Sequence, residues 1–574
     1  MAAAKGIPKG RLAHCRYGRC TPDGCHLELE MQPTDFKSWL FVPSGQYLLQ
    51  KLCTSFVGTT TLPYGFFSFT TLDYCISSRR HVDPYALSIH SGRITNFLMI
   101  EPRRLAFLPP RRVLKALTVV ALALCLCYFA DRTQLLNKLH KRHSLNDFMI
   151  MALMIGALGI LSIRPSVVSA VYHGQQSTTR QTDQPFLSRD QTDEWKGWMQ
   201  FLILAYHYTG TSKVLGIYKI IRILVGSYLF MTGFGHTAFF YRKADYSLRR
   251  FATTLIRLNL LSCMLPYVMR TDYLFYYFAP LSSMWYVIIY LTMRIGHERS
   301  KSMRFLISKI LVSAIVITGL VRVPGILEVI FECLARTANI HWNATEWRFR
   351  VGLDLYIVYV GMLSAIAFIK ISGSEHLQSW ITFAPLHRLA ILAALIIFWG
   401  LWIALGSITE KPEYNSWVPY ISFLPILSFV VLRNGSRYLR NYYSSIFAWL
   451  GRYSLETFTL QYHIWLAADT KGVLSIGLDR RWEFAPLTLS FLWVSWHVGH
   501  ATDVVTKWIV DPNEGSNDDH LETSPSDVAL PRMNCLKAER TRYRRLINVF
   551  ELRNDLRLRL LMILFGMWVL NQMY

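Results

Sequence analysis

The amino-acid sequence predicts an all-α fold, a polytopic integral membrane bundle of about 12–13 transmembrane helices. Three observations predict it. Hydrophobic residues make up 52% of the 574 residues and charged residues only 17%, the mean hydropathy is +0.25, and long apolar runs recur from residue 113 to the C-terminus. Soluble chains usually carry about 25% charged residues. This composition therefore argues against disordered chains, fibres and ordinary soluble enzymes.

Residues 1–110 form a first region of mixed composition. No apolar segment follows the Met-Ala-Ala-Ala-Lys start, so the region lacks a standard signal peptide. The even spacing of Cys15, Cys20 and Cys25 does not fit the C-x2-C pattern of a zinc site. We therefore expect free thiols or sporadic pairing, and no metal site.

The membrane domain is predicted over residues 111–510, a polar linker over 511–556 and a last transmembrane helix over 557–574. A helix needs about 20 residues to cross a hydrocarbon core. The runs of about that length are 113–130, 147–163, 197–211, 217–239, 252–269, 273–293, 304–322, 353–371, 386–406, 418–432, 446–466, 486–506 and 557–573. The runs 197–211 and 418–432 are short, which indicates tilted or partly re-entrant segments.

The loops predict the orientation of these spans. The basic segments 241–251, 294–304 and 433–445 fall on one side, which is therefore predicted to be cytoplasmic. The other side carries the sequon at Asn343, which predicts glycosylation there. A second sequon, at Asn434, faces the cytoplasm and is expected to be unused. The basic loop 131–146 falls on the sequon side, against this rule, and leaves the number of N-terminal helices open by one.

The chain carries 61 Lys and Arg against 37 Asp and Glu, a net charge of +24. Such a surplus is found in nucleic-acid-binding proteins, but no supporting motif accompanies it, and no nucleic-acid partner is predicted. Basic cytoplasmic loops account for much of the surplus. The same charge is suited to hold an anionic cofactor at the membrane, and composition does not separate these two uses.

Ionisable side chains inside spans are costly and usually face a protein interior or a water-filled path. In the segment 189–210, Lys196, Gln200, Ile203 and His207 share one helical face, and Glu194 precedes them. His207 is either a functional group or a structural histidine bonded to a neighbouring helix.

The next two spans carry further polar groups. Tyr218, Arg222, Thr232 and His236 form one stripe on a helix. A guanidinium suits phosphate or carboxylate oxygens, so Arg222 is predicted to bind an anion or to pair with an acidic residue. Arg257 is predicted to bind phosphate oxygens or to anchor the span by the positive-inside rule, and it lies deeper than that anchoring requires.

Two more pairs stand out. Arg350 and Asp354 are four residues apart, which predicts an ion pair within one helix or a part in the chemistry. Glu456 and His463 are seven apart and share a face, a plausible acid and base arrangement. The sequence contains no Gly-rich phosphate loop, HExxH zinc site or GxSxG elbow.

Six segments together resemble one known family. They are QTDEWKGWMQ (191–200), MTGFGH (231–236), RLN (257–259), YYFAPL (276–281), GLDLYIVYVGML (352–363) and SLETFTLQYHIWL (454–466). They look like the membrane domain of the Golgi glycan O-acetyltransferases. These include the fungal capsule polysaccharide O-acetylation protein, animal sialate O-acetyltransferase and the plant reduced-wall-acetylation proteins. The resemblance covers about 113–510, and YYFAPL looks closest to the fungal branch.

The resemblance implies a membrane-bound acyltransferase-like bundle that transfers acetyl from cytosolic acetyl-CoA to hydroxyls of a cell-wall or capsular polysaccharide or glycan in the Golgi lumen. Many members also carry a lumenal SGNH-type domain with a Gly-Asp-Ser nucleophile. No Gly-Asp-Ser occurs here, and residues 1–110 are too few for that domain. We therefore expect a membrane-only or truncated member, for which a separate lumenal SGNH-type transferase is a candidate partner.

The resemblance also assigns expected roles. His207 is the first choice for the catalytic histidine, His463 with Glu456 the second, and His236 a further candidate. Three cations are expected to hold the CoA phosphates or a developing oxyanion, namely Lys196, Arg222 and Arg257. Glu194, Gln200, Arg350 and Asp354 are expected in structural or substrate-binding roles. The alternatives are a transporter of acetyl-CoA or acetyl groups, and a non-catalytic partner that donates acetyl to a lumenal enzyme.

Overall fold

A computed structural model describes residues 109–166, 184–271, 273–372, 384–468, 471–511 and 556–573. Almost all of the predicted region 1–110 and linker 511–556 lies outside these residues, including Cys15, Cys20 and Cys25. The described residues are mainly helical, which confirms the all-α prediction.

The helices are listed here in chain order. The first nine are α1 (Arg111–Arg132), α2 (Leu145–Leu161), α3 (Arg189–Thr209), α4 (Leu215–Lys243), α5 (Leu248–Met269), α6 (Phe278–Arg294), α7 (Met303–Arg322), α8 (Ile326–Ala338) and α9 (Ala344–Leu353). The others are α10 (Ile357–Ser372), α11 (Ala384–Gly406), α12 (Lys411–Ile421), α13 (Phe423–Arg433), α14 (Arg437–Asn441), α15 (Ser445–Arg452), α16 (Ser454–Ile464), α17 (Arg480–Val510) and α18 (Leu556–Met573). Five short strands accompany them: β1 (Asn137–Leu139), β2 (Ile163–Pro165), β3 (Tyr442–Ser444), β4 (Leu466–Ala467) and β5 (Gly472–Ser475).

Seven of the described segments are long and apolar enough to cross a membrane, and the pair α12 and α13, bent by 56°, makes an eighth if it is one span. This bent pair covers the run 418–432, where a tilted or re-entrant segment is predicted. The number is below 12–13 because α2 and α6 have only 17 residues each and because α3 and α17 carry more polar side chains. The predicted span 446–466 is two short helices, α15 and α16, which meet at Tyr453.

Two small sheets tie loops together at opposite ends of the bundle. Strand β2 pairs with β3 at one end, and β5 pairs with β1 and β4 at the other. The second end also holds the loop 210–214, because His143 contacts the Gly210 carbonyl at 2.9 Å. Asn343 follows α8, whose C-cap Asn339 donates to the carbonyl of Asn571 at 2.7 Å. Tyr267, near the end of α5, also bonds Asn571.

We call this second end the sequon end and the opposite one the basic end. The segments 133–144, 210–214, 270–271, 273–277, 323–343, 465–468 and 471–479 lie at the sequon end, and 162–166, 244–247, 295–302 and 434–444 lie at the basic end. Because β1 pairs with β5, the basic loop 131–146 lies at the sequon end, as the simple alternation of spans predicts. Its cations bond helix C-termini there. Lys138 donates to the Asp131 carbonyl at 2.5 Å, and Arg132 donates to the Arg270 carbonyl at 3.4 Å.

Local sequence signals begin and end the helices that build the cavity. Helix α3 begins after Ser188, whose side chain accepts from the amide of Gln191, and it ends at Gly210, where φ is 67°. Helix α5 begins after Ser247, which caps the amide of Arg250. These caps set where α3 and α5 begin, and therefore which of their residues face the cavity described below.

Glycines let the cavity-forming helices approach closely. A Cβ at Gly197 would lie 1.7 Å from the Phe447 carbonyl oxygen, and one at Gly451 would lie 1.8 Å from the Asp193 carbonyl oxygen. Helices α3 and α15 therefore pack backbone to backbone, as small residues allow in membranes. In MTGFGH, Gly233 gives α4 the same close approach to α10, whereas Gly235 faces open space.

Candidate active site

A cavity of ≈ 500 Å³ lies among α3, α4, α5, α6, α9 and α16. Its polar lining consists of Lys196, Gln200, Tyr206, His207, Tyr218, Arg222, Tyr228, Thr232, His236, Tyr277, Ser282, Arg350, Asp354 and Ser454. Its apolar lining consists of Ile203, Ile221, Val225, Met231, Leu258, Phe278, Ala279, Phe349, Leu353, Leu455 and Phe458. An apolar pocket with several convergent polar groups is typical of a small-molecule site.

The cavity is long in the direction of the bundle. Tyr218 lies near the start of α4 at the sequon end, and His236 lies in the half of α4 that leads to the basic end. At 1.5 Å per residue these two lining residues are about 27 Å apart along the helix. The cavity thus spans most of the thickness of a hydrocarbon core, about 30 Å.

The structure brings both predicted stripes into this cavity. Lys196, Gln200, Ile203 and His207 of α3 all line it. So do Tyr218, Arg222, Thr232 and His236 of α4. The two stripes predicted from helical spacing therefore form two walls of one cavity.

His207 makes one hydrogen bond to a neighbouring helix. Its Nδ1 lies 3.0 Å from Oε1 of Gln461 on α16. The Nε2 of Gln461 donates to the carbonyl oxygen of Phe458 at 3.0 Å, so Oε1 is the amide atom that faces the histidine. Because Oε1 only accepts, His207 Nδ1 carries the proton and its Nε2 keeps a lone pair. Among the described residues Nε2 has no hydrogen-bond partner, and it is the ring nitrogen left for the cavity.

His236 is held by ring packing instead. It meets Tyr286 edge to face, with centroids 4.6 Å apart. It lies toward the basic end, about 27 Å along α4 from Tyr218. His236 and His207 therefore line different parts of the cavity.

Arg222 and Asp354 form a buried ion pair across α4 and the end of α9, at 2.7 Å. The prediction that Arg350 pairs with Asp354 is wrong, because the nearer partner of Asp354 comes from another helix. Arg350 instead pairs with Glu346 at 2.6 Å and stacks on the ring of Tyr277 at 4.1 Å. The buried carboxylate of Asp354 thus takes its cation from a separate helix. Spacing along one helix does not predict such a partner.

The predicted acid and base pair of Glu456 and His463 is not formed. Glu456 is ion-paired with Arg257 of α5 at 2.6 Å. His463 contacts Asp131 Oδ2 through Nδ1 at 2.7 Å and Tyr276 Oη through Nε2. The carboxylate accepts from Nδ1, so Nε2 accepts from the tyrosine hydroxyl in the neutral ring. Neither Glu456 nor His463 lines the cavity.

The remaining predicted polar residues are also paired. Lys196 bonds Asp193 at 2.9 Å, and its side chain remains 32% exposed. Glu194 accepts from Arg433 at 2.5 Å near the basic end. Lys196 lines the cavity, whereas Glu194 holds α3 to α13.

Four buried polar atoms of the cavity residues have no partner among the described residues, namely Nε2 of Gln200, Nε of Arg222, Nε of Arg350 and Oδ1 of Asp354. Gln200 and Asp354 are only 2% and 1% exposed. Leaving a buried donor or acceptor unsatisfied costs about 1–3 kcal/mol. Three donors and one acceptor in one cavity thus indicate a site for a polar ligand.

Sequence reasoning missed three residues, Gln461, Asp131 and Tyr276. Gln461 lies inside the quoted segment 454–466, next to the two residues that were chosen from it. Asp131 ends an apolar run, which is a signal for a buried carboxylate. Tyr276 opens the quoted segment YYFAPL, and it is fully buried.

Comparison with known proteins places the chain in a family. A family model described as a "10 TM Acyl Transferase domain found in Cas1p" matches residues 48–521. The chain belongs to this family. The match includes the whole predicted membrane domain, 111–510, and the membership predicted from the six sequence segments is confirmed.

One relative of this 10-TM acyltransferase family member is the N-acetylneuraminate (7)9-O-acetyltransferase of Danio rerio. The two chains are 35% identical over 388 residues, which are 65% of this chain and 48% of the relative. The chain therefore matches about half the length of that protein. No solved structure matches the chain significantly.

In the described part of the chain, no group of three or more His, Cys, Asp and Glu residues is placed to hold a metal ion.

Asn343 is exposed and caps α9 by accepting from the amides of Thr345 and Glu346. Asn434 of the second sequon is 7% exposed. At the sequon end, hydrogen bonds from Arg348 lower the pKa of the Glu328 carboxyl.

Proposed function

We propose that this chain is a membrane O-acetyltransferase. In this proposal, acetyl-CoA is supplied at the basic end and a sugar hydroxyl at the sequon end receives the acetyl group. The observation that carries the proposal is the long cavity, in which the bonded Nδ1 of His207 leaves Nε2 available as a base. Membership of the 10-TM acyltransferase family supports the reaction class.

The orientation is part of the proposal. The basic loops at one end suit the cytosolic face, and the exposed Asn343 sequon at the other suits the lumen of the Golgi. Burial of Asn434 supports it, because a glycosylated asparagine must be accessible. His207 lies two residues before the end of α3, close to the sequon end, where a lumenal acceptor would enter.

The lining residues fit the acyl end of an acetyl-CoA donor. Apolar Val225, Met231 and Leu258 suit the arm that carries the thioester, and Nε2 of Gln200 is an unused donor. Of the three cations predicted to bind phosphates, Arg222 and Arg257 are bound to buried carboxylates. Lys196 is the most exposed of the three, and we propose that it contacts the donor.

The chemistry requires one base. The sugar oxygen attacks the acetyl carbon while Nε2 of His207 removes the hydroxyl proton, and an ester C–O bond forms. The thioester C–S bond breaks, and the protonated histidine returns the proton to the leaving thiolate. An imidazole suits both transfers because its ordinary pKa lies near neutral pH.

The acceptor is proposed to be a glycan. The Danio rerio relative acts, by its name, on N-acetylneuraminate, and the resemblance in the sequence also includes polysaccharide-modifying proteins. A sialylated glycan and a neutral capsular or cell-wall polysaccharide are therefore the two acceptors to compare.

The test uses the purified full chain in lipid vesicles with acetyl-labelled acetyl-CoA outside and each acceptor supplied on either side. Labelled glycan supports the proposal and identifies the acceptor. Label that accumulates inside the vesicles without labelled glycan overturns it in favour of a transporter. Label that stays on the protein until an SGNH-type transferase is added overturns it in favour of an acetyl-donating partner.

A further inference from the structure

Gln461 connects α16 to the proposed base. It is 0% exposed, and its Oε1 lies 3.0 Å from Nδ1 of His207. Its Nε2 donates to the Phe458 carbonyl, one turn earlier in the same helix, at 3.0 Å. Both the oxygen and the nitrogen of the amide therefore make a hydrogen bond. If the amide were rotated by 180°, its Oε1 would face the carbonyl oxygen of Phe458, and two acceptors would repel each other.

Helix α16 is itself held firmly on both sides of Gln461. Glu456 is ion-paired with Arg257 of α5 at 2.6 Å. His463 is bound to Asp131 of α1 at 2.7 Å. Because these contacts reach two different helices, the Gln461 amide has little freedom to move relative to His207.

We propose that Gln461 is a positioning residue that holds His207 in the tautomer with the proton on Nδ1 and the lone pair on Nε2. This inference rests on the proposed function of His207 as the base. An amide bears no charge, so it fixes the tautomer and stabilises the protonated ring less than a charged acceptor would. A carboxylate in its place would accept the same hydrogen bond and would also stabilise the imidazolium.

The other titratable groups around His207 are few. Tyr206 lies beside it on α3 with ring centroids 5.4 Å apart, and Tyr462 of α16 lies at 5.8 Å. Lys141 of the loop 133–144 contributes a nearby positive charge. None of these accepts the Nδ1 proton, which leaves Gln461 as the described group that selects the tautomer.

Two variants test the role. Gln461→Met keeps the length of the side chain but removes both hydrogen bonds, and we expect kcat/KM to fall about 10- to 100-fold with KM little changed. Gln461→Glu is expected to keep most activity at high pH and to move the acid limb of the pH–rate profile to higher pH. A purely structural role would lower the amount of folded protein and leave that limb in place. Unchanged kcat/KM in Gln461→Met, or an unmoved limb in Gln461→Glu, overturns the proposal.

A second readout separates this proposal from the proposed function. In protein with 15N-labelled histidine, the His207 signal is identified by its loss in His207→Ala. We expect that signal to report a proton on Nδ1 in the unsubstituted chain and a mixture of tautomers in Gln461→Met. A proton on Nε2 in the unsubstituted chain overturns the inference. If the unsubstituted chain transfers no acetyl group, the proposed function fails, and the nitrogen shifts still decide the tautomer.

Discussion

His207 and His463 lie near the same end of the bundle, but their surroundings differ. His207 is half-buried, lines the cavity and uses one ring nitrogen for Gln461. His463 is fully buried and uses both ring nitrogens, for Asp131 and Tyr276. A histidine inside a membrane protein can therefore line a cavity or hold helices together. What distinguishes the two is a ring nitrogen left for a cavity.

The largest expected effect comes from removing the proposed base, His207. In His207→Ala we expect acetyl transfer to fall about 10²- to 10⁴-fold, with a smaller loss of stability, about 1–3 kcal/mol, because Oε1 of the buried Gln461 loses its partner. Turnover of labelled acetyl-CoA and thermal unfolding in detergent measure the two quantities. His500→Ala is the matched control, since His500 is exposed on α17 and outside the cavity. Full activity in His207→Ala would contradict the assignment.

For His463→Ala we expect the larger effect on stability. It leaves the buried Asp131 carboxylate and the Tyr276 hydroxyl without this partner, and breaking a buried pair costs about 3–5 kcal/mol of unfolding free energy. The measurement is the unfolding midpoint in detergent, beside that of His207→Ala. If His463→Ala kept its stability and lost only turnover, the structural role assigned to His463 would be wrong.

A smaller effect is expected from the helix packing that shapes the cavity wall. A Cβ at Gly233 would lie 2.3 Å from the Val358 carbonyl oxygen, so Gly233→Ala should push α4 from α10 and cost about 1–3 kcal/mol. Gly235→Ala is the control on the same helix, because nothing lies within 4 Å of its Cβ position, and it should be neutral or slightly stabilising. Equal melting temperatures for the two variants would show that the close approach is not required.

The smallest effect concerns which end of the bundle is lumenal, and so where both histidines lie. Asn343→Asp removes the sequon and keeps a capping side chain on α9. We expect loss of one glycan on a gel after endoglycosidase treatment, with stability and turnover unchanged. Thr345→Ala should behave alike, whereas Asn434→Asp should leave the glycan pattern as it is. A glycan on Asn434 would reverse the orientation of the bundle.

The comparison also shows how far sequence reasoning reached. The period of the helix placed Lys196, Gln200 and His207 on one wall of the cavity correctly. It also placed Glu456 and His463 on α16, but it assigned them to each other. The true partners, Arg257 and Asp131, lie on α5 and α1, more than 190 residues earlier in the chain.

The sequence by itself determined the class of the protein, its family and the polar stripes on α3 and α4, because composition and helical period depend on the chain alone. Only the tertiary structure decided which polar groups neutralise one another and which remain available. A charge buried away from water needs a partner, and in a helical bundle that partner comes from whichever helix packs alongside. For this reason Arg222 and Arg257, two of the three cations expected to hold the CoA phosphates, are neutralised by carboxylates. One nitrogen of His207 is left for the cavity.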